Sequence, residues 1–141
     1  MNSKNILAVL ASTVAGFIVG GLIYGIILEG FMKANMVPLP GVMKNPPVFV
    51  AIVFANLAQA ILFTWILKSM SVSKFFGGFL KILCVGALIG IMMDLFIYAS
   101  MDMYKSFLGY FIDVLAFSVT SAVMGGVAAL ILGSGKKQTA P

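Results

Sequence analysis

The chain has 141 residues, of which 62% are hydrophobic and 9% are charged, whereas soluble domains carry roughly 25% charged residues. Nine lysines against four acids give a formal charge of +5, too scattered to form the clustered basic face that binds nucleic acid. Histidine is absent and Cys84 is the one cysteine, which excludes a zinc site and a CxxC redox pair. We therefore predict a single membrane domain without a metal or cofactor.

The first predicted helix covers residues 5–28, an apolar stretch that follows Lys4. It is far longer than the apolar region of a signal peptide, which has about 7–15 residues. We therefore expect a retained first membrane span. The next segment, residues 30–47, is apolar but interrupted by prolines, and we expect it to lie as a loop in the membrane interface.

Three further apolar stretches are long enough to cross a bilayer, which takes about 20 helical residues. They cover residues 48–68, 75–100 and 107–132, and a short polar tail follows at 133–141. Asn45-Pro46-Pro47 is typical of a helix start. Because the second and third connections are short, helices 2 and 3 and helices 3 and 4 should be antiparallel neighbours. The predicted fold is an all-α integral membrane four-helix bundle with antiparallel up-down hairpins.

The lysines predict how this bundle is oriented. In a four-span chain both termini and the second connection lie on one side, and that side holds Lys4, Lys68, Lys74, Lys81, Lys136 and Lys137. The other side holds Lys33, Lys44 and Lys105. Since lysines concentrate in cytoplasmic segments, we expect both termini in the cytoplasm, with the chain in a bacterial inner membrane.

Small residues recur at four-residue spacing on three of the helices. The predicted helix-packing glycines are Gly16, Gly20, Gly21 and Gly25 on helix 1, Gly86 and Gly90 on helix 3, and Gly126 on helix 4. Such spacing lets two helix backbones approach closely in a membrane. The glycines can serve contacts within the bundle, which we favour, or a homo-oligomer.

Two of the four acids lie inside predicted spans. Asp94 and Asp113 are each about two turns from the outer surface, and Asn56 and Tyr24 fall at a similar depth. An unpaired carboxylate there costs a few kcal/mol, so intramembrane acids are candidate functional groups. The four residues form a candidate proton, cation or ligand site; the alternative is that they only fix helix packing through hydrogen bonds.

The other two acids lie at the outer rim, beside lysines. Glu29 with Lys33 and Asp102 with Lys105 have the spacing of ordinary ion pairs on a helix. Five methionines also share the outer side: Met32, Met36, Met43, Met101 and Met103. Thioethers suit Cu(I), but methionine is also a common apolar filler, and we favour the filler.

Short motifs suggest a family. They are Gly21-Leu22-Ile23-Tyr24-Gly25 running into Phe31-Met32, Gly86-Ala87-Leu88-Ile89-Gly90, and Ile112-Asp113 before the small-residue stretch to Gly126. In this layout the chain resembles small four-helix bacterial membrane proteins of unknown function. The resemblance implies the membrane fold and adds interest to Asp113, but it implies no activity.

The sequence offers no catalytic constellation, since without histidine an enzyme would depend on carboxylates alone. We predict a non-enzymatic protein, either an accessory or structural subunit or a homo-oligomeric bundle. The alternative is a small oligomeric transporter or channel for a proton, cation or small ligand, using Asp94 and Asp113. Its expected partners are the lipid bilayer and either further copies or a larger membrane complex, with no nucleic acid.

Overall fold

The structure, a computed structural model, describes residues 3–38, 40–41, 44 and 46–134. These residues form five α-helices: α1 (Ser3–Leu22), α2 (Glu29–Asn35), α3 (Phe49–Ser69), α4 (Phe75–Ser100) and α5 (Phe107–Gly133). A π-helical turn, Ile23–Ile27, continues α1. Within the described ranges the β pairing is limited to one isolated bridge between Met36 and Tyr104. The all-α prediction is confirmed.

Four helical segments are long and apolar enough to cross a membrane: Ser3–Ile27, Phe49–Ser69, Phe75–Ser100 and Phe107–Gly133. Large apolar side chains such as Phe76, Leu88 and Phe96 are more than two-thirds exposed. A soluble protein would not leave so many such side chains uncovered. The four predicted spans are confirmed, and they indicate a multi-pass membrane protein.

The first connection differs from the predicted loop. Leu28 N–H donates to the carbonyl of Ile23 at 2.7 Å, which widens the helix by one residue before α2 begins. The predicted loop over residues 30–47 is therefore wrong for its first part, which is helical up to Asn35. Glu29 and Lys33 form the predicted ion pair at 2.6 Å, and the Lys33 hydrogen bond lowers the pKa of Glu29. Asn45, the predicted helix start, lies outside the described residues, as do Lys136 and Lys137.

The last span is the central one. In its most apolar stretch 56% of the residues are buried, against 22–28% in the other three spans, and it contacts α1, α3 and α4. Its contact with α4 is closest where small residues meet: Gly78 lies against Gly125 and Ala129, Gly86 against Ser121. Because these residues lack bulk, the two backbones approach without leaving a void.

The expectation that the second and third spans are direct neighbours is wrong. α3 packs on α1 and α5, and its contact with α4 is marginal. The turn after α3 places Ser71 in the left-handed region at φ 53°. However, a short connection fixes only the distance between two helix ends. The glycine face of α4 fits α5, so α5 lies where a direct α3–α4 contact was expected.

The apolar core occupies the end of the molecule where α1 begins and α5 ends. Its buried members include Phe63 and Leu67 of α3, Ile82 of α4 and Met124 of α5. The Lys4 ammonium donates to the carbonyl of Ser134 at 2.5 Å at this end. The tyrosines and the intramembrane acids lie at the opposite end, where polar contacts replace the apolar core.

Candidate functional site

Asp113 is the centre of a hydrogen-bonded group that joins three parts of the chain. Its Oδ1 accepts a hydrogen bond from the Tyr24 hydroxyl at 2.6 Å, and its Oδ2 accepts one from the Tyr104 hydroxyl at 3.1 Å. Tyr24 belongs to the π-helical turn, Tyr104 to the α4–α5 connection and Asp113 to α5. We call these three residues the Asp113 cluster.

Local structure holds each tyrosine of the Asp113 cluster in place. The π-helical turn carries Tyr24, and such wide turns are rare and occur often at functional sites. Around Tyr104, the connection pairs with the segment after α2: Val37 N–H donates to Met103 O at 3.0 Å, and Lys105 N–H donates to Asn35 O at 2.7 Å. The connection between α1 and α3 and the connection between α4 and α5 therefore support each other.

The Tyr104 ring is buried, with 6% of its surface exposed. A Cβ on Gly109 would lie 2.6 Å from the Cγ of Tyr104, so a glycine at position 109 leaves the space that the Tyr104 ring fills. Burial raises the pKa of the Tyr104 phenol, and the neighbouring Asp113 carboxylate raises it further. The phenol therefore stays protonated and remains a hydrogen-bond donor to Asp113.

Asp94 has a different environment, although it is at a similar depth. It is 7% exposed, and within the described part of the chain no group donates a hydrogen bond to its carboxylate. It borders a cavity of about 150 Å³ between α4 and α5, together with Tyr98 and Tyr110. No hydrogen bond therefore joins Asp94 and Asp113. Asp113 accepts hydrogen bonds from two hydroxyl groups, whereas Asp94 borders a cavity.

Asn56 does not join the Asp113 cluster either. Its side-chain amide donates to the carbonyl of Ile52 in its own helix at 2.9 Å. Asn56 faces α1, where a Cβ on Gly16 would lie 2.6 Å from its Oδ1. Of the four predicted site residues, Tyr24 and Asp113 are joined by a hydrogen bond, whereas neither Asp94 nor Asn56 forms a hydrogen bond with them.

The predicted packing glycines fall into two groups. Cβ atoms at Gly16, Gly86, Gly90 and Gly126 would meet a neighbouring helix within 3.3 Å, and one at Gly20 would meet Thr120 at 3.7 Å. Cβ atoms at Gly21 and Gly25 would have nothing within 4 Å. The four glycines of the first span all line a groove of about 520 Å³ between α1, α3 and α5, which Phe49, Asn56 and Thr120 also border. We call it the α1–α3 groove.

The structure departs from the sequence prediction at Lys105, in the connection between α4 and α5. Its ammonium donates to the carbonyl of Ala34 at 2.7 Å instead of pairing with Asp102, because the carbonyls at the end of α2 attract a cation. No three metal-binding side chains of the His, Cys, Asp or Glu type meet anywhere in the described ranges. Of the outer methionines, Met43 lies outside those ranges.

The sequence did not predict two features near the aspartates. Tyr104 is a second hydrogen-bond donor to Asp113, and Tyr98 and Tyr110 lie beside Asp94. The available signal was that all four tyrosines fall on the outer side, which is also what an interfacial aromatic belt produces. Nothing in their spacing distinguishes a tyrosine that faces lipid from one that faces a carboxylate.

Comparison with protein-family models, curated proteins and solved structures gives no match for this chain.

Proposed function

We propose that this protein is a non-enzymatic, multi-pass membrane subunit that works as a homo-oligomer. Its four spans would form an antiparallel up-down bundle around α5. Contacts support this arrangement, because residue numbers rise along one helix as they fall along its partner. Gly78 of α4 meets Gly125 of α5, whereas Gly90 meets Val114. Ser12 of α1 donates to Met124 at 3.0 Å, whereas Tyr24 reaches Asp113.

One observation carries the proposal of self-association: Gly21 and Gly25 form an exposed glycine face on the first span. Other glycines inside the spans, such as Gly16, Gly86 and Gly126, lie against a neighbouring helix, whereas a Cβ at Gly21 or Gly25 would meet nothing within 4 Å. In a bilayer, where apolar surface alone gives no driving force, this small-xxx-small spacing favours close helix association. A second copy has the same face, so in a twofold dimer the glycine faces of the two chains can pack against each other.

Gly25→Leu is expected to weaken the dimer by about tenfold or more, equivalent to about 1.4 kcal/mol, because the added side chain keeps the two first spans apart. The measurement is energy transfer between donor- and acceptor-labelled chains in liposomes over a series of protein-to-lipid ratios. Ala99→Leu is the matched control, since Ala99 is an exposed small residue on α4, away from the glycine face. A wild-type chain that stays monomeric at every ratio, or a Gly25→Leu chain that dimerises normally, contradicts the proposal.

The orientation of the spans is a separate proposal: both termini lie in the cytoplasm of a bacterial inner membrane. Lys4, Lys68, Lys74 and Lys81 support it within the described residues, against Lys33, Lys44 and Lys105 on the other side. A green fluorescent protein fused after residue 141 is expected to fluoresce, and alkaline phosphatase fused there to be inactive. Fusions after Gly41, in the first connection, are the control and should give the opposite pattern. An active phosphatase at the C-terminus would reverse the orientation.

The second candidate is a small oligomeric transporter or channel that uses Asp94 and Asp113. The nearly buried Asp94 carboxylate beside a cavity favours it. Since two tyrosine hydroxyls already donate hydrogen bonds to the Asp113 carboxylate, Asp94 is the group that would exchange a proton or cation. The expected result is that Asp94→Asn abolishes a proton flux into proteoliposomes that the wild type supports. A wild-type flux no greater than that of empty liposomes removes the proton version of this candidate.

A further inference from the structure

The α1–α3 groove is a recess of about 520 Å³ in the part of the molecule that spans the membrane. On α1 and its π-helical turn it extends from Gly16 to Gly25, and on α3 from Phe49 to Gln59, which at 1.5 Å per residue is about 14–15 Å of helix. One leaflet of a bilayer core about 30 Å thick is about 15 Å deep. The groove therefore extends through one leaflet, on the side of the first connection.

The lining of the groove is apolar, although four of its side chains carry polar groups. The amides of Asn56 and Gln59 and the hydroxyls of Tyr24 and Thr120 each donate a hydrogen bond to another group of the protein. Glycines and apolar side chains such as Phe17 complete the lining. The groove therefore presents mainly hydrocarbon surface, which suits an apolar occupant.

The groove is too narrow for a helix. Its volume of about 520 Å³, divided by a length of about 14 Å, gives a mean cross-section of about 37 Å². An α-helix with its side chains is about 10–12 Å wide, which is a cross-section of about 80 Å² or more. A second copy can therefore lie on the rim at Gly21 and Gly25, whereas the interior admits only a single extended hydrocarbon chain.

An exposed lysine lies close to the end of the groove where α3 begins. Pro47 borders the groove, and Lys44 precedes it by three residues, which span at most about 11 Å. Lys33 and Lys105 are engaged in contacts with other groups, whereas Lys44 is exposed and makes no ion pair among the described residues. Lysines close to a membrane surface attract anionic headgroups, so the Lys44 ammonium can pair with the phosphate of a lipid whose chain enters the groove.

The hydrocarbon that surrounds this part of the protein is the acyl chains of lipids. An unfilled recess forfeits the dispersion contacts of its walls, and one acyl chain has the width of the groove and the reach of one leaflet. The charge of Lys44 selects among lipids that could supply the chain. We propose that the α1–α3 groove binds one acyl chain of an anionic phospholipid, with the headgroup at Lys44.

Brominated phospholipids test this proposal, because bromine atoms on an acyl chain quench tryptophan fluorescence at short range. In a Trp65→Phe chain, Phe17→Trp places a single reporter at the groove. Leu88→Trp, on the exposed face of α4, is the matched control. Each full-length chain is reconstituted at high dilution in phosphatidylcholine, where self-association is negligible. Phosphatidylglycerol or phosphatidylcholine, brominated in the middle of one chain, is then titrated in.

The Phe17→Trp reporter is expected to reach half-maximal quenching at about fivefold less brominated phosphatidylglycerol than brominated phosphatidylcholine. The Leu88→Trp reporter should respond equally to the two lipids, because it contacts ordinary boundary lipid. Lys44→Gln should abolish the preference by removing the charge. Ala55→Phe should abolish it by placing a ring inside the groove, which Ala55 lines.

Equal quenching of the Phe17→Trp reporter by the two lipids overturns the proposal, because it shows boundary lipid only. Absence of quenching by either lipid also overturns it, since protein then fills the groove. So does a preference that survives in the Lys44→Gln chain or in a folded Ala55→Phe chain. Lys44→Gln, in the first connection, keeps the test decisive if Ala55→Phe does not fold. The inference does not rest on self-association, because the measurement is made on single chains.

Discussion

Gly78→Ala is expected to destabilise the protein by about 3 kcal/mol, the upper end of typical overpacking costs. A methyl group at this position would meet the carbonyl oxygen of Gly125 and the Cβ of Ala129. The first obstacle is backbone, which cannot move aside by a rotamer change, so α4 and α5 would have to separate along their closest contact. The measurement is the midpoint of thermal or denaturant-induced unfolding in detergent micelles.

Gly21→Ala is the matched control for Gly78→Ala, since it adds the same methyl group inside an apolar helix. A Cβ at Gly21 has no neighbour within 4 Å, and alanine is favoured over glycine in a helix by up to about 1 kcal/mol. Gly21→Ala should therefore leave the stability of the single chain unchanged or slightly raised. Equal destabilisation by both substitutions would contradict a close backbone contact between α4 and α5 at Gly78.

Asp113→Ala is expected to destabilise the protein by about 2 kcal/mol, because it leaves the hydroxyls of Tyr24 and Tyr104 without their acceptor. The effect includes loss of the contact that joins α1, α5 and the α4–α5 connection. Asp102→Ala, at an exposed acid of that connection, is the control and should change stability little. Unfolding midpoints in the same detergent measure both.

A double-mutant cycle separates the hydrogen bond from the loss of the side chain. Tyr24→Phe and Asp113→Asn are combined, and a coupling of about 0.5–3 kcal/mol is expected for groups in direct contact. The short 2.6 Å distance from Tyr24 to Asp113 places this pair among strong hydrogen bonds. Additive effects of the two substitutions would mean that the Asp113 cluster does not hold α1 to α5.

The different surroundings of the two aspartates change how each acts. Asp113 accepts hydrogen bonds from two hydroxyl groups, and we propose that it fixes helix packing, which was one of the two hypotheses for the intramembrane acids. Asp94 receives no hydrogen bond from the described residues and borders a cavity. The ligand-site hypothesis therefore applies to Asp94. The sequence could place both residues at one depth, but depth alone does not distinguish a satisfied carboxylate from an unsatisfied one.

The glycines of the first span show why a spacing pattern was not sufficient. At about 100° per residue, Gly21 is turned by about 140° from Gly16 along α1. All four glycines border the α1–α3 groove, but a Cβ at Gly16 would meet Asn56 and Met124, whereas a Cβ at Gly21 or Gly25 would meet nothing within 4 Å. The spacing predicted that close contacts exist on α1, and only the rotation of the helix in the fold decided which glycines make them.

The sequence by itself determined the four spans, their approximate ends and the depth of each polar residue, because helix formation in an apolar segment depends on local length and hydrophobicity. Tertiary structure decided that α5 is central, that α3 and α4 are not neighbours, and that Tyr104 completes the Asp113 cluster. These features depend on which helix faces meet and on how each helix is rotated. The intramembrane acids share one end of the molecule, as their positions indicated, but only packing gave Asp113 two hydroxyl donors and left Asp94 beside a cavity.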